Sequence, residues 1–302
     1  MNCKRGDILK LPLRDFLIWA PQVADALRWT ARFLTRQCVF RKEDVPYRTQ
    51  LVPLAAIRTV LGQRVDEHRV EDMLSQWFWC GVLGEMYGGA LETRFARDLE
   101  QVPAWIDGAV APGTVEGSTF RETRLTTLNT RNSAAYKGVY ALLLKQGCVD
   151  WHFSKAPIDH TIVEEHQVDI HHIFPQAWCE KHRVDARHRS SIANKTPLSR
   201  RASRSVSSRA PDTYLQVLER ESDLPSDWLD DVVATHLIEP RYLRMSDFEK
   251  FFHTRSQALL TLIELAMGKE AFRVRQTPPE EQEDPEDYQQ APDEPDSATS
   301  EI

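Results

Sequence analysis

Two adjacent histidines closed off by a proline are the residues of this chain best suited to chemistry. They lie in Val168-Asp169-Ile170-His171-His172-Ile173-Phe174-Pro175. Apolar Val168, Ile170 and Ile173 among polar neighbours predict a short β-strand. Adjacent side chains on a strand point to opposite faces, so the two imidazoles are suited to different tasks. Neutral histidine, with an ordinary pKa of about 6.5, accepts a proton at neutral pH. Hydrolysis of a phosphodiester needs an activated water, charge stabilisation on the phosphoryl oxygens and help for the departing 3′ oxygen. A divalent ion supplies the electrostatic part. The expected roles are His172 as general base and His171 as metal ligand.

About twenty residues on comes Ser191-Ile192-Ala193-Asn194-Lys195-Thr196-Pro197-Leu198, read as a second strand. Asn194 would lie across the pair and orient the His172 ring by accepting from its other nitrogen, which fixes the tautomer. Between the strands, residues 176–182 predict a short helix or turn and residues 185–190 a polar loop. Residues 199–209 form a basic segment that begins as a helix. Two strands, an excursion and a helix make a ββα-metal unit, the arrangement of an HNH nuclease. From Lys181 to Arg209 there are nine Lys or Arg against one acid, Asp185. Such an excess suits phosphate, and Lys195, Arg200, Arg201, Arg204 and Arg209 are the expected DNA contacts. A solvated face is the ordinary reading of a basic run; beside this motif DNA binding is preferred.

The elements that must position these residues are mainly helical. Helical spacing appears in residues 15–36, with Pro21 near a start or a break, and in 49–60 before Gly62. It recurs in 70–87, 93–106, 133–146, 211–221, 225–238 and 245–267. Trp77-Phe78-Trp79 could stack bases, but such a cluster in an amphipathic helix more commonly belongs to a core. His253 and Arg255 could face DNA, or be ordinary surface polar residues. Residues 111–130 contain Pro112, Gly113, Gly117 and Ser118 and read as a loop or linker. Cys148-Val149-Asp150-Trp151 suggests a short strand. No Walker signature or phosphate-cradling glycine loop is present.

Composition bounds the rest. The chain has 302 residues, 41% hydrophobic, with a mean hydropathy of −0.47. No apolar run reaches the roughly 20 residues that span a bilayer, and the first ten residues do not resemble a signal peptide. Five scattered cysteines, never spaced C-x-x-C, suggest reduced thiols in a cytoplasm. The net charge is −7, yet residues 276–302 hold ten Asp or Glu and no Lys or Arg, so the rest carries +3. That acidic tail cannot bury a core and is expected to be disordered. It could compete with DNA for the basic segment, though solubilising is its simpler use.

The motifs resemble the C-terminal half of the GmrSD-type restriction endonucleases. The resemblance runs through residues 169–175, 194–199 (Asn194-Lys195-Thr196-Pro197-Leu198-Ser199) and 210–215 (Ala210-Pro211-Asp212-Thr213-Tyr214-Leu215). It extends to residues 46–54, 94–99 and 255–269, and so covers roughly residues 15 to 270. It implies an HNH nuclease domain acting in prokaryotic restriction or defence on DNA, possibly modified DNA. In that family an N-terminal ParB-like NTP-using domain with an Asp-Gly-Gln-Gln-Arg motif precedes the nuclease. That motif is not found here, so a separate protein could supply that half. The resemblance also places an Asn or His about nine residues after the middle Asn, completing the metal site. Here that position is Ser203, a weaker ligand than an imidazole or amide carbonyl. Ser203 could ligate with water filling in, Asp169 could take over, or the site could have lost its metal.

The expectation is therefore a mainly α protein with an embedded ββα-metal site: a helical region over 1–110, a loop over 111–130, an HNH-like domain over 131–275 and a tail over 276–302. The expected cofactor is Mg²⁺ or Mn²⁺, with Zn²⁺ as the alternative, and no membrane is involved. The rival functions are a DNA- or partner-binding subunit with a degraded site, and a structural zinc site at His171 and His172.

Overall fold

The computed structural model describes residue 6 and residues 9–89, 91–152, 156–222 and 226–273. The expected acidic tail lies outside the described residues. The chain begins with α1 (Leu13–Arg36), α2 (Leu51–Leu61), α3 (His68–Leu83), α4 (Leu91–Ile106) and the single turn α5 (Gly113–Glu116). Then come α6 (Ala134–Lys145), α7 (His160–Glu165), β1 (Asp169–His172), α8 (Gln176–Lys181) and α9 (Ala186–Ser190). A 3₁₀ turn at Ile192–Asn194 leads into β2 (Lys195–Leu198). The chain continues through α10 (Arg200–Val206), α11 (Pro211–Ser222), α12 (Ser226–Ala234), α13 (Pro240–Arg244) and α14 (Phe248–Met267). The mainly α expectation holds. Residues 185–190, read as a polar loop, form α9, begun by Asp185, whose carboxylate accepts from the Arg187 amide.

Apolar spacing explains why α3 is central. Val70, Leu74, Trp77 and Phe78 recur at helical intervals, and Trp79, Cys80 and Val82 widen the stripe until most of the helix is buried. Trp77, Phe78 and Trp79 are all core, where Phe78 meets Phe33 edge-on at 5.6 Å and Trp79 at 5.0 Å. Helix α3 packs on α14, α6 and α4. At its crossing with α6 the backbones come close at Gly138, where a Cβ would sit 2.8 Å from a methyl of Val82. Residues 111–130 contribute Val115, Phe120, Leu125 and Leu128 to the same core, which runs on to Met267. The expected boundary is thus crossed by continuous packing.

The strands pair antiparallel, with Asp169 opposite Leu198, His171 opposite Thr196 and His172 opposite Lys195. Helix α6 packs on β2, as does α10. Helix α10 starts at Ser199, whose Oγ accepts from the Ala202 amide at 3.1 Å; such a cap contributes about 1 kcal/mol. The Asp150 carboxylate in turn accepts from Ser199 N at 2.6 Å and from its hydroxyl at 2.9 Å. A buried carboxylate therefore fixes where the helix leaves the strand.

Candidate functional site

Cross-strand partners share a face, so the register separates the two histidines. His171 lies with Thr196 and His172 with Lys195. On the His171 side, α10 brings Ser203 to the imidazole: Oγ and Nδ1 share a hydrogen bond of 3.0 Å, whose direction follows the tautomer. Burial lowers the His171 pKa, and nearby Arg131 lowers it further, while Asp150 opposes the shift. Behind Thr196 stands His236, fully buried, with Nδ1 2.7 Å from the threonine hydroxyl and Nε2 2.7 Å from the Val149 carbonyl.

His172 sits in a different environment. Burial, then the positive charge of Lys195, pushes its pKa down to about 4, so the ring is neutral at pH 7. Its Nε2 is buried and finds no hydrogen-bond partner among the described residues. A neutral imidazole with an unmet nitrogen is what a proton acceptor requires. Burial is also what makes such an unmet nitrogen costly to the fold.

Asn194 does not orient that ring. Its amide nitrogen donates to the Phe174 carbonyl and to the Arg189 carbonyl, both at 2.9 Å, while its oxygen accepts from the Phe174 amide at 2.9 Å. Its own carbonyl accepts from Ile173 N. The residue is a fully buried clasp that fixes the chain just after His172 and ties it to the end of α9. Side-chain amides suit this because they donate and accept at once.

The other expected residues divide by position. Arg200, Arg201 and Arg204 are exposed along α10. Arg209 is exposed too, but its guanidinium donates to the Ser205 carbonyl at 2.8 Å and so closes the end of that helix. Lys195 is not presented to solvent: it is buried, its ammonium donates to Asn129 O at 2.7 Å and lies over the Tyr136 ring. Asp169 is paired with Arg131, a residue absent from the expected set. Nothing in the sequence marked Arg131; it lies 38 residues upstream in an unremarkable loop and is brought close only by packing. Arg255 does not face DNA, being fully buried with donors on His236 O and Lys195 O.

The fit of a divalent ion can be tested on these distances. Two donors each about 2.1 Å from one cation at right angles lie about 3 Å apart. His171 Nδ1 and Ser203 Oγ have that spacing, so they can form one edge of a coordination shell. Both are neutral, and among the described residues no group of three His, Cys, Asp or Glu converges to hold a metal. The residues fit a two-point attachment completed by water and phosphate oxygens, and do not form a closed structural site.

No family model matches the chain. The chain is similar to an uncharacterized protein of Methanocaldococcus jannaschii, MJ0686, with 26% identity over 157 residues, covering 50% of this chain and 26% of that protein. The matched part is thus about a quarter of the relative's length. Among the described residues, no helix is long and apolar enough to cross a membrane.

Proposed function

We propose that this chain is a metal-dependent DNA endonuclease of HNH type, hydrolysing phosphodiester bonds. The observation that carries the reading is the meeting of strand and helix at His171 and Ser203, 3.0 Å apart, one residue from a neutral His172 with an unmet nitrogen. His172 takes the proton from the attacking water. His171 and Ser203 hold the ion, Mg²⁺ or Mn²⁺. A bound divalent ion neutralises charge on the phosphoryl oxygens and the departing 3′ oxygen. Exposed Arg200, Arg201 and Arg204 bind backbone phosphates. Arg131, close to His171, stands where it can leave Asp169 for a phosphate. Restriction or defence, modified DNA as target and a separate NTP-using partner are parts of the proposal that rest on the resemblance alone.

The test is nicking of supercoiled plasmid with Mg²⁺ or Mn²⁺. His172→Ala should lower the rate by about a hundredfold or more, the usual worth of a general base, with DNA binding unchanged. A second reading is a DNA-binding subunit whose nuclease site has decayed. It is favoured by the neutral donor pair and by the engagement of Asp169 with Arg131. Salt-sensitive gel shifts without cleavage of any modified or unmodified DNA would establish that reading instead.

A further inference from the structure

Helix α1 is apolar on two sides. Its later half faces the body through Ala26, Trp29, Thr30, Phe33 and Leu34, all buried. Its earlier half carries a second stripe turned away from them. There Leu13 is 71% exposed, Phe16 52%, Leu17 62%, Val23 44% and Leu27 51%. An amphipathic helix on a protein surface normally shows a polar outer face, and one apolar on nearly all sides is covered. Pro21 lies inside the helix, and every buried residue comes after it. The turns before Pro21 therefore lack support from the body, and a helix of that length does not hold in water on propensity alone.

We infer that this stripe is the interface of a two-fold dimer, with α1 of a second copy running antiparallel across it. The spacing is self-complementary about Ala20. Running the partner helix in reverse puts Leu13 opposite Leu27, Phe16 opposite Ala24, Leu17 opposite Val23 and Ala20 opposite itself. The largest side chain meets a small one, and the smallest lies on the axis where the helices come closest. A two-fold contact requires that the same patch complement itself, and this one does. The stripe exposes on the order of 600 Å² of apolar surface, as much as a monomer normally leaves bare. Two such stripes bury about 1,200 Å², the lower bound for a stable interface, so the dimer should be concentration-dependent. A lipid surface suits the helix less well, because its polar positions Arg14, Asp15, Asp25 and Arg28 are evenly signed and a membrane-seated helix is rich in Lys and Arg.

Sedimentation equilibrium of the full chain should show twice the 34.8 kDa monomer mass at micromolar concentrations. Leu17→Glu with Val23→Glu should weaken association at least tenfold while the far-ultraviolet circular dichroism of the body persists. Because a charged helix could simply unravel, a second variant tests the register. Ala20→Cys should cross-link to itself under mild oxidation, much faster than Gln22→Cys on another face. A wild type that stays monomeric at all concentrations, pelleting with anionic vesicles or not, overturns the inference. So does a doubly charged variant that dimerises as before, or cross-linking no faster at position 20 than at 22.

Discussion

Ser203 is the residue on which the chemistry turns. It reaches His171 at 3.0 Å, so the position is in place even though the side chain is a poor ligand. A hydroxyl holds a divalent ion less firmly than an amide carbonyl. Ser203→Asn should therefore lower the Mg²⁺ or Mn²⁺ concentration giving half-maximal cleavage by roughly tenfold, the low end of what such site residues contribute. The metal titration of nicking reads this directly. An unchanged midpoint would mean that Ser203 only hydrogen-bonds His171 and that the ion is held elsewhere. The same residue shows what sequence could and could not reveal. Spacing located Ser203 relative to Asn194, because both sit on short regular elements. It did not reveal Arg131, whose approach to Asp169 depends on how α6 lies against the strands.

The elements around the site were legible where periodicity governs them. Both strands, the helix after β1 and the basic helix were expected, and the structure has them at Asp169–His172, Lys195–Leu198, Gln176–Lys181 and Arg200–Val206. Side-chain partnership was not legible, and Asn194 is the clearest instance. Its place across the hairpin suggested a hydrogen bond to His172; its amide instead closes the backbone of Phe174 and Arg189. Lys195 follows the same logic, since a basic residue in a basic run was expected outside and lies over Tyr136. Asn194→Ala would leave a buried amide and two carbonyls short of partners, each costing about 1–3 kcal/mol. The expected loss is about 3 kcal/mol or more in urea unfolding, with activity falling because the loop after His172 is freed. A variant of wild-type stability but without cleavage would return Asn194 to a direct catalytic role.

At the scale of the whole molecule, the site depends on groups sealed far from any substrate. His236, after α12, bridges Thr196 of β2 and Val149. Arg255 of α14 clamps the carbonyls of His236 and Lys195, and burial brings its pKa down to about 9, so it remains charged at neutral pH. Helices that close the chain thereby hold the strand that carries the site. Burial pushes the His236 pKa down to about 4, against about 6.5 when the chain unfolds. The folded pKa is the lower one, so between those values the unfolded chain takes up a proton that the folded ring refuses. The stability tied to His236 is fully present above about pH 6.5 and is lost as pH falls towards 4, by up to about 3 kcal/mol. His172, also held down to about 4, adds to the same slope. Urea midpoints should therefore drop from pH 7 to pH 4.5, and His236→Gln, which cannot titrate, should be less stable at pH 7 and show a shallower drop. Parallel pH profiles for wild type and variant would mean that the His236 ring protonates without resistance, and that the packing of Thr196, Val149 and Arg255 around it is looser than these distances describe.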